Sequence, residues 1–436
     1  MKKFFYLALA LSFGIILNAQ KVAFEEFDLD NGLHVILHQD NTAPLIVTSV
    51  LYHVGSKDED PERTGFAHFF EHLLFEGTEN IERGEWFKLV SANGGNNNAY
   101  TTNDFTYYYE VFPSNNLELS LWMESERMLH PVINEIGVET QNEVVKEERR
   151  MRYDNSPYGR WDEEVRKLLF KKHPYKHSTI GEMEHLDAAS LEEFIAFNKK
   201  YYVPNNAVLV LAGDFEAETA KKLVKTYFND IPKGAEIDRN VIKEDPILEA
   251  LTGEAFDKNI QIPAIFTAYR IPEKTSRDSK VLDMISSYLS DGKSSKLYRK
   301  LVDEKKMSLE VAAFNISLED YGVYVILSLP VGENSLLALR DEIDLEIDKI
   351  QKELISEKDY EKLLNKFESQ FVNSNSTVEG IANSLAEYYT FYGDTNLINS
   401  EIDIYRSITR EEIRAAAQKY LNPNQRLTLN YLPESK

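Results

Sequence analysis

The 436-residue chain contains no cysteine. Disulfide bonds, a lipidated N-terminal cysteine, and any thiolate metal site or nucleophile are therefore excluded. Positive charge is scarce as well: 49 Lys and Arg against 72 Asp and Glu leave a net charge of −23. Nucleic-acid binding needs basic clusters that displace counterions from phosphates, and so acidic a chain argues against it. Long apolar runs are missing after the N-terminus. The single run, Phe4 to Leu17, has 14 residues, short of the roughly 20 that span a bilayer. Lys2 and Lys3 precede it and Asn18-Ala19-Gln20 follow it. That order predicts a secretory signal peptide over residues 1–19, cleaved after Ala19, and no stable membrane anchor. An exported chain without disulfides suits a bacterial periplasm or the medium.

Histidine is both scarce and lopsided. All nine histidines lie at or before His185, so any histidine chemistry belongs to the first half. Aromatic residues, by contrast, are plentiful, with 23 Phe and 24 Tyr in a chain that is 43% hydrophobic. Such a chain can bury sizeable cores, and its length suggests two or three domains. It also repeats itself. "SLEEFIAFNKKYYVPNNAVLVL" from Ser190 aligns without a gap on "TREEIRAAAQKYLNPNQRLTLN" from Thr409, 219 residues later. Both copies open with a capping box, Ser190 with Glu193 and Thr409 with Glu412. Both continue as an amphipathic helix, turn at Pro-Asn and enter a β-rich run. The match predicts an internal duplication.

Period-two patterns in "LIVTSVLYHVGS", "NNAYTTNDFTYYYEVF", "IQIPAIFTAYRI" and "YGVYVILSLPV" predict strands. Helical patterns cover 117–129, 137–152, 159–170, 335–352 and 357–373. The aperiodic, charged stretch over 233–250 reads as a linker. The expected organisation is an N-terminal domain over 20–232 and a homologous C-terminal domain over 251–436. Each is α+β, with helices packed on a mainly antiparallel sheet.

One helical stretch, "GFAHFFEHLLFEGT" over 65–78, is apolar except for His68, Glu71 and His72. Residues four apart stack on one helix face, with Cβ atoms about 6 Å apart. Two imidazoles so placed can grip one Zn²⁺. Glu71 lies beside the pair rather than in line with it, which suits a general base acting on an attacking water. Leaving three such groups unpaired in an apolar helix would cost desolvation without return. A third oxygen ligand is expected from the acidic helix over 137–152. Periodicity leaves Glu139, Glu143, Glu147 and Glu148 open.

His68-Phe69-Phe70-Glu71-His72 resembles the inverted zinc-peptidase motif of the pitrilysin/insulinase family, which includes mitochondrial processing peptidase. "FEGTE" (75–79), "GGNNNAYTTNDFTYYY" (94–109), "VVKEERRMRYDNSP" (144–157) and "DGKSSKLYRKL" (291–301) extend the resemblance along the mature chain. The resemblance implies two homologous domains forming one half of a clam-shell chamber. It implies one Zn²⁺ per chain, held by His68, His72 and Glu148, with Glu147 facing away. Gln141 stands where the family often has a further glutamate, so any supporting carboxylate is lost or moved to Glu143. The 94–109 segment resembles an edge strand that binds extended peptide, with Asn98, Ala99 and Tyr100 beside the scissile bond.

The resemblance also marks a gap. Family members that work alone bring an Arg and a Tyr, seven residues apart, to the substrate carbonyl. The matching positions here are Val302 and Leu309. The resemblance therefore implies the catalytic subunit of a zinc endopeptidase for unfolded peptides. Its partner is expected to be a zinc-less paralogue supplying Arg and Tyr, or otherwise a second copy of the chain. The alternative is a non-catalytic scaffold or peptide-binding subunit.

Overall fold

The structure, a computed structural model, describes residues 21–434; the expected signal peptide lies outside them. In the first half the elements run β1 (Glu25–Asp28), β2 (His34–Gln39), β3 (Leu45–Tyr52), α1 (Phe66–Leu73), α2 (Trp86–Ala92), β4 (Asn96–Thr101), β5 (Thr106–Pro113), α3 (Leu117–Leu129), α4 (Glu135–Arg149), α5 (Trp161–Leu169), α6 (Met183–Ala188), α7 (Leu191–Tyr201), β6 (Ala207–Gly213) and α8 (Ala217–Phe228). The second half contributes β7 (Leu251–Asp257), β8 (Ala264–Ile271), α9 (Arg277–Ser290), β9 (Ser308–Ser317), β10 (Gly322–Pro330), α10 (Leu336–Lys352), α11 (Glu357–Ser374), α12 (Val378–Glu387), α13 (Leu397–Ser407), α14 (Arg410–Tyr420) and β11 (Arg426–Pro433).

Two sheets form, ordered β1-β2-β6-β3-β5-β4 and β7-β11-β8-β10-β9. Each has one parallel pair, β2 with β6 and β7 with β11, and is otherwise antiparallel. The α+β expectation holds, and so does the duplication. Apart from β1 the sheets correspond strand for strand, and β3 and β8 begin at Leu45 and Ala264, 219 residues apart. Both capping boxes are present: Ser190 and Thr409 accept the N–H groups of Glu193 and Glu412, whose carboxylates reach back. The single strand-like run "NNAYTTNDFTYYYEVF" is in fact a hairpin, closed by Thr102 N–H donating to Phe105 O at 2.8 Å.

The sheets are buried on both faces, which is why β6 reads as an unbroken apolar run, "AVLVLAG". One face of the first sheet packs on its own helices through Val35, Leu37, Val50, Tyr108 and Leu209. The alternate residues Ile36, Val47, Leu51 and Val210 meet Ile381, Leu385 and Ile398, which sit on α12 and α13 of the second half. The reverse also occurs. Val165 and Leu169 on α5 of the first half cover Phe266, Val325 and Leu429 of the second sheet. Each half thus completes the other's core. A fully buried aliphatic side chain contributes about 1.5–3 kcal/mol, so this packing outweighs surface ion pairs at about 0–1 kcal/mol each.

Residues 232–250 hold almost no regular structure, yet the segment is pinned. The Glu244 carboxylate accepts the backbone N–H groups of Lys171, Lys172 and His173 at 2.6–2.8 Å, and Arg239 donates to Asn206 Oδ1 at 2.6 Å. A second tie comes from the β9–β10 turn. Lys57 Nζ lies 2.6 Å from Glu319, 3.2 Å from Asp320 and 3.4 Å from Asp104. His53 also reaches Glu319, at 2.7 Å.

Candidate metal centre

Helix α1 presents His68 and His72 on one face, with ring centroids 4.9 Å apart. Helix α4 packs across it. The buried stripe of α4 runs through Gly137 and Val145 to Arg149, with Gln141 and Glu148 half-buried beside it, while Glu139, Glu143 and Glu147 face solvent. Packing thus selects among the four glutamates that periodicity left open. Glu148 Oε2 lies 3.6 Å from His68 Nε2 and 3.3 Å from His72 Nε2. Ligands about 2.1 Å from a tetrahedral zinc stand about 3.4 Å from one another, so spacing and donor types both fit that ion. Among the described residues no other three His, Asp or Glu side chains gather in this way.

Electrostatics suit the same assignment. Burial holds His68 to about 4, aided by the neighbouring His72, so its imidazole is neutral and free to ligate. Glu148 is held below the ordinary carboxylate range by the hydrogen bond from His72 and the nearby His68 and Arg152. Arg152, one turn on, engages the other carboxylate oxygen at 2.7 Å and so turns Oε2 toward the histidines. Glu147 points away to Arg150. Glu143 is solvent-exposed and pairs with Lys146, so it does not replace the missing glutamate. The carboxylate beside Gln141 is Glu76, which accepts the Gln141 amide.

Glu71 is pushed above the ordinary range by burial, with the Thr101 hydrogen bond and His72 opposing that rise. Thr101 Oγ1 donates to Glu71 Oε2 at 2.7 Å. Thr101 ends β4, which is the edge strand of its sheet. Gly94 and Gly95 precede the strand. Gly94 has φ +71°, and a Cβ on Gly95 would lie 2.5 Å from the Phe112 ring, so the chain passes close to β5 there. The closing bond at Thr102 fixes the ladder's alternation: main-chain groups of Asn97, Ala99 and Thr101 point off the free edge, and those of Asn98 and Tyr100 bond β5. The exposed Asn98 lends its side-chain oxygen to Ala99 N–H at 2.9 Å.

Tyr100 does not join the site. Its side chain lies on the opposite face of the sheet, where its hydroxyl donates to Asn383 on α12 at 2.6 Å. Val302 packs against the core of the second half. Leu309 is 52% exposed on β9, the counterpart of β4, and neither side chain can donate a hydrogen bond. Sequence reasoning missed Thr101 and Arg152. The four-residue step from Glu148 to Arg152 could have revealed the second; nothing local marks the first.

Comparison with known proteins shows the family and the fold. The family model described as "Insulinase (Peptidase family M16)" matches residues 34–182, and "Peptidase M16 inactive domain" matches 188–367. The zinc protease PqqE of Helicobacter pylori is 30% identical over 84% of this chain and 83% of its own length. The chain belongs to the pitrilysin/insulinase family. An uncharacterized zinc protease of Bacillus subtilis, YmxG, is 21% identical over 93% of this chain and 97% of its own. A solved protease from Helicobacter pylori superposes with a TM-score of 0.89 at 28% identity, covering 94% of this chain and 99% of that one. The periplasmic protease PqqL of Escherichia coli shares the fold, with a TM-score of 0.78 at 18% identity over 94% of this chain but 48% of that one. The "inactive" description falls mainly on the histidine-free half. No helix among the described residues is long and apolar enough to cross a membrane.

Proposed function

We propose that this chain is the zinc-binding catalytic subunit of an exported endopeptidase that cleaves unstructured peptides. The observation that carries the reading is the convergence of His68, His72 and Glu148 beside Glu71 at the free edge of β4. A Zn²⁺ held by the three ligands would supply Lewis-acid polarisation of the reacting groups. The chain's own residues do the rest. The edge of β4 pairs with substrate main chain through the outward groups of Asn97, Ala99 and Thr101, and this asks little of substrate sequence. Peptide pairing there displaces the Asn98 side chain from Ala99. Glu71, oriented by Thr101, takes a proton from the attacking water. As the C–N bond breaks, Glu71 returns that proton to the leaving amine.

The domain limits at 232 and 251, the one-half-of-a-chamber arrangement and the heterodimer belong to the same proposal. Val302 and Leu309 support a partner that brings Arg and Tyr, and the greater length of the Escherichia coli neighbour is consistent with a second half. The apolar run behind Lys2-Lys3 and that neighbour's periplasmic description support export. The competing reading, a peptide-binding or scaffold subunit, is favoured by the same missing donors. Zinc content, together with cleavage of an unstructured reporter peptide by the chain alone and with its co-purifying partner, separates the two. Stoichiometric zinc with cleavage supports the enzyme. A chain that binds peptide yet never cleaves, alone or with its partner, supports the scaffold.

A further inference from the structure

Helix α1 has eight residues, a length at which an isolated helix is marginal. Its start also lacks an ordinary cap: Gly65 occupies the N-cap in a left-handed conformation at φ +93°, with no side-chain hydrogen bond of its own. The missing cap comes from Glu59. Its carboxylate, in a residue 5% exposed, accepts Gly65 N–H and Ala67 N–H, each at 2.8 Å. The other end is held by Arg127, 1% exposed, whose Nη1 donates to Leu74 O at 3.3 Å. That guanidinium is caged by the rings of Phe75, Trp86 and Tyr108 at 4.1–4.5 Å and paired with Glu110 at 2.8 Å and Glu124 at 3.0 Å.

A helix carries partial positive charge at its N-terminus and partial negative charge at its C-terminus. Here a buried carboxyl group, pushed well above the ordinary range by burial against the pull of its backbone hydrogen bonds, meets the first and a buried cation the second. Tyr108 adds a hydroxyl hydrogen bond to Phe70 O at 2.8 Å. Burying such groups is costly, and an apolar clamp would hold the core as well. Hydrogen bonds that reach only α1's terminal backbone groups do something apolar packing cannot: they fix the helix along its axis. We infer that Glu59 and Arg127 are positioning residues of the metal centre, setting the axial placement of α1 and hence of His68 and His72 opposite Glu148. The inference rests on the zinc reading of that site.

The test uses the full chain with Glu59→Gln and, separately, Arg127→Lys. The Gln amide keeps one acceptor oxygen and sets its NH₂ group against one of the two N–H donors, Gly65 or Ala67. The Lys keeps its charge but cannot reach Leu74 O and both carboxylates together. Zinc affinity is read by chelator competition, ligand geometry by the visible spectrum of the cobalt-substituted protein, and the fold by the melting temperature of the metal-free protein. Zinc should bind about 10- to 100-fold more weakly and the cobalt bands should shift, while the metal-free chain stays folded. On a cleaved peptide, kcat should fall more than KM rises. Zinc affinity within about threefold of wild type in both variants, with unchanged cobalt bands, overturns the inference. So does failure of both to fold, which would assign the residues to the fold as a whole. A wild-type chain that takes up neither zinc nor cobalt overturns the metal reading itself.

Discussion

Glu71→Gln separates proton transfer from metal binding. The replacement has the same length, and its side-chain oxygen can still accept the Thr101 hydroxyl that now reaches Glu71 at 2.7 Å. It touches none of the three ligands, so zinc content should stay at one per chain. What it loses is basicity: an amide cannot take the water's proton. General acid–base groups contribute about 10²–10⁴ in rate, which is about 3–5 kcal/mol of barrier. Glu71 is assigned two transfers, from water and to the amine, so the loss should be at or above the top of that range. The assay is hydrolysis of a quenched fluorescent peptide by the assembly that cleaves it, with zinc counted by atomic emission on the same sample. Activity within about tenfold of wild type at full zinc would refute the role. Activity lost together with zinc would refute the ligand set instead, because Glu71 would then be holding the metal.

Three further outcomes are expected. Glu148→Gln should sharply weaken zinc binding with little change in metal-free stability; normal occupancy would move the ligand to Glu147 or Glu143, which now face solvent. Thr101→Val removes one hydrogen bond to a charged group, worth about 1.5–3 kcal/mol, so kcat should fall about 10- to 100-fold at unchanged zinc, and an unaltered kcat would dismiss the orienting role. Glu319 is held near 2: burial pushes it up, but His53 and Lys57 more than offset that. A depressed carboxylate stabilises the fold above its unfolded value of about 4.5 and loses that contribution as pH falls toward 2. Glu319→Gln should therefore melt lower than wild type at pH 7 and converge with it across that window, and a constant melting difference down to pH 2 would contradict the tie.

Legibility followed the reach of each signal. The juxtaposition of His68 and His72 was legible because i,i+4 spacing is fixed within one helix, and the duplication because capping boxes and Pro-Asn turns recur at one offset. Glu148 was not legible from periodicity alone. Glu139, Glu143 and Glu147 recur every four residues, and only the packing of Gly137 and Val145 on the rest of the domain shows that theirs is the solvent face. The helical pattern over 159–170 announced that α5 packs somewhere, but amphipathicity does not say on which sheet, and it lies on the other half's. Glu59 stands in the polar run "KDEDPERTG" and reads as solvated surface. It is buried because α1 begins at a glycine and needs its cap from a distance. Tyr100 failed for a simpler reason: in a strand, neighbouring side chains take opposite faces, so Thr101 and Tyr100 cannot both face Glu71.

Reciprocal packing also limits where new chemistry can enter. The outer face of the first sheet is filled by α12 and α13 and its inner face by its own helices, so neither can receive a peptide or a second chain's side chain without unpacking a core. Beside the candidate metal centre, β4 ends its sheet with an edge that no other strand of the described residues pairs. The second sheet repeats the scaffold, with β9 at the matching edge, but carries Leu309 there and no histidine at all. The duplicated half thus keeps an edge strand in the matching place and lacks histidine. A donor for the developing oxyanion has no route through this chain's own second half at Val302, whose side chain is turned into that half's core.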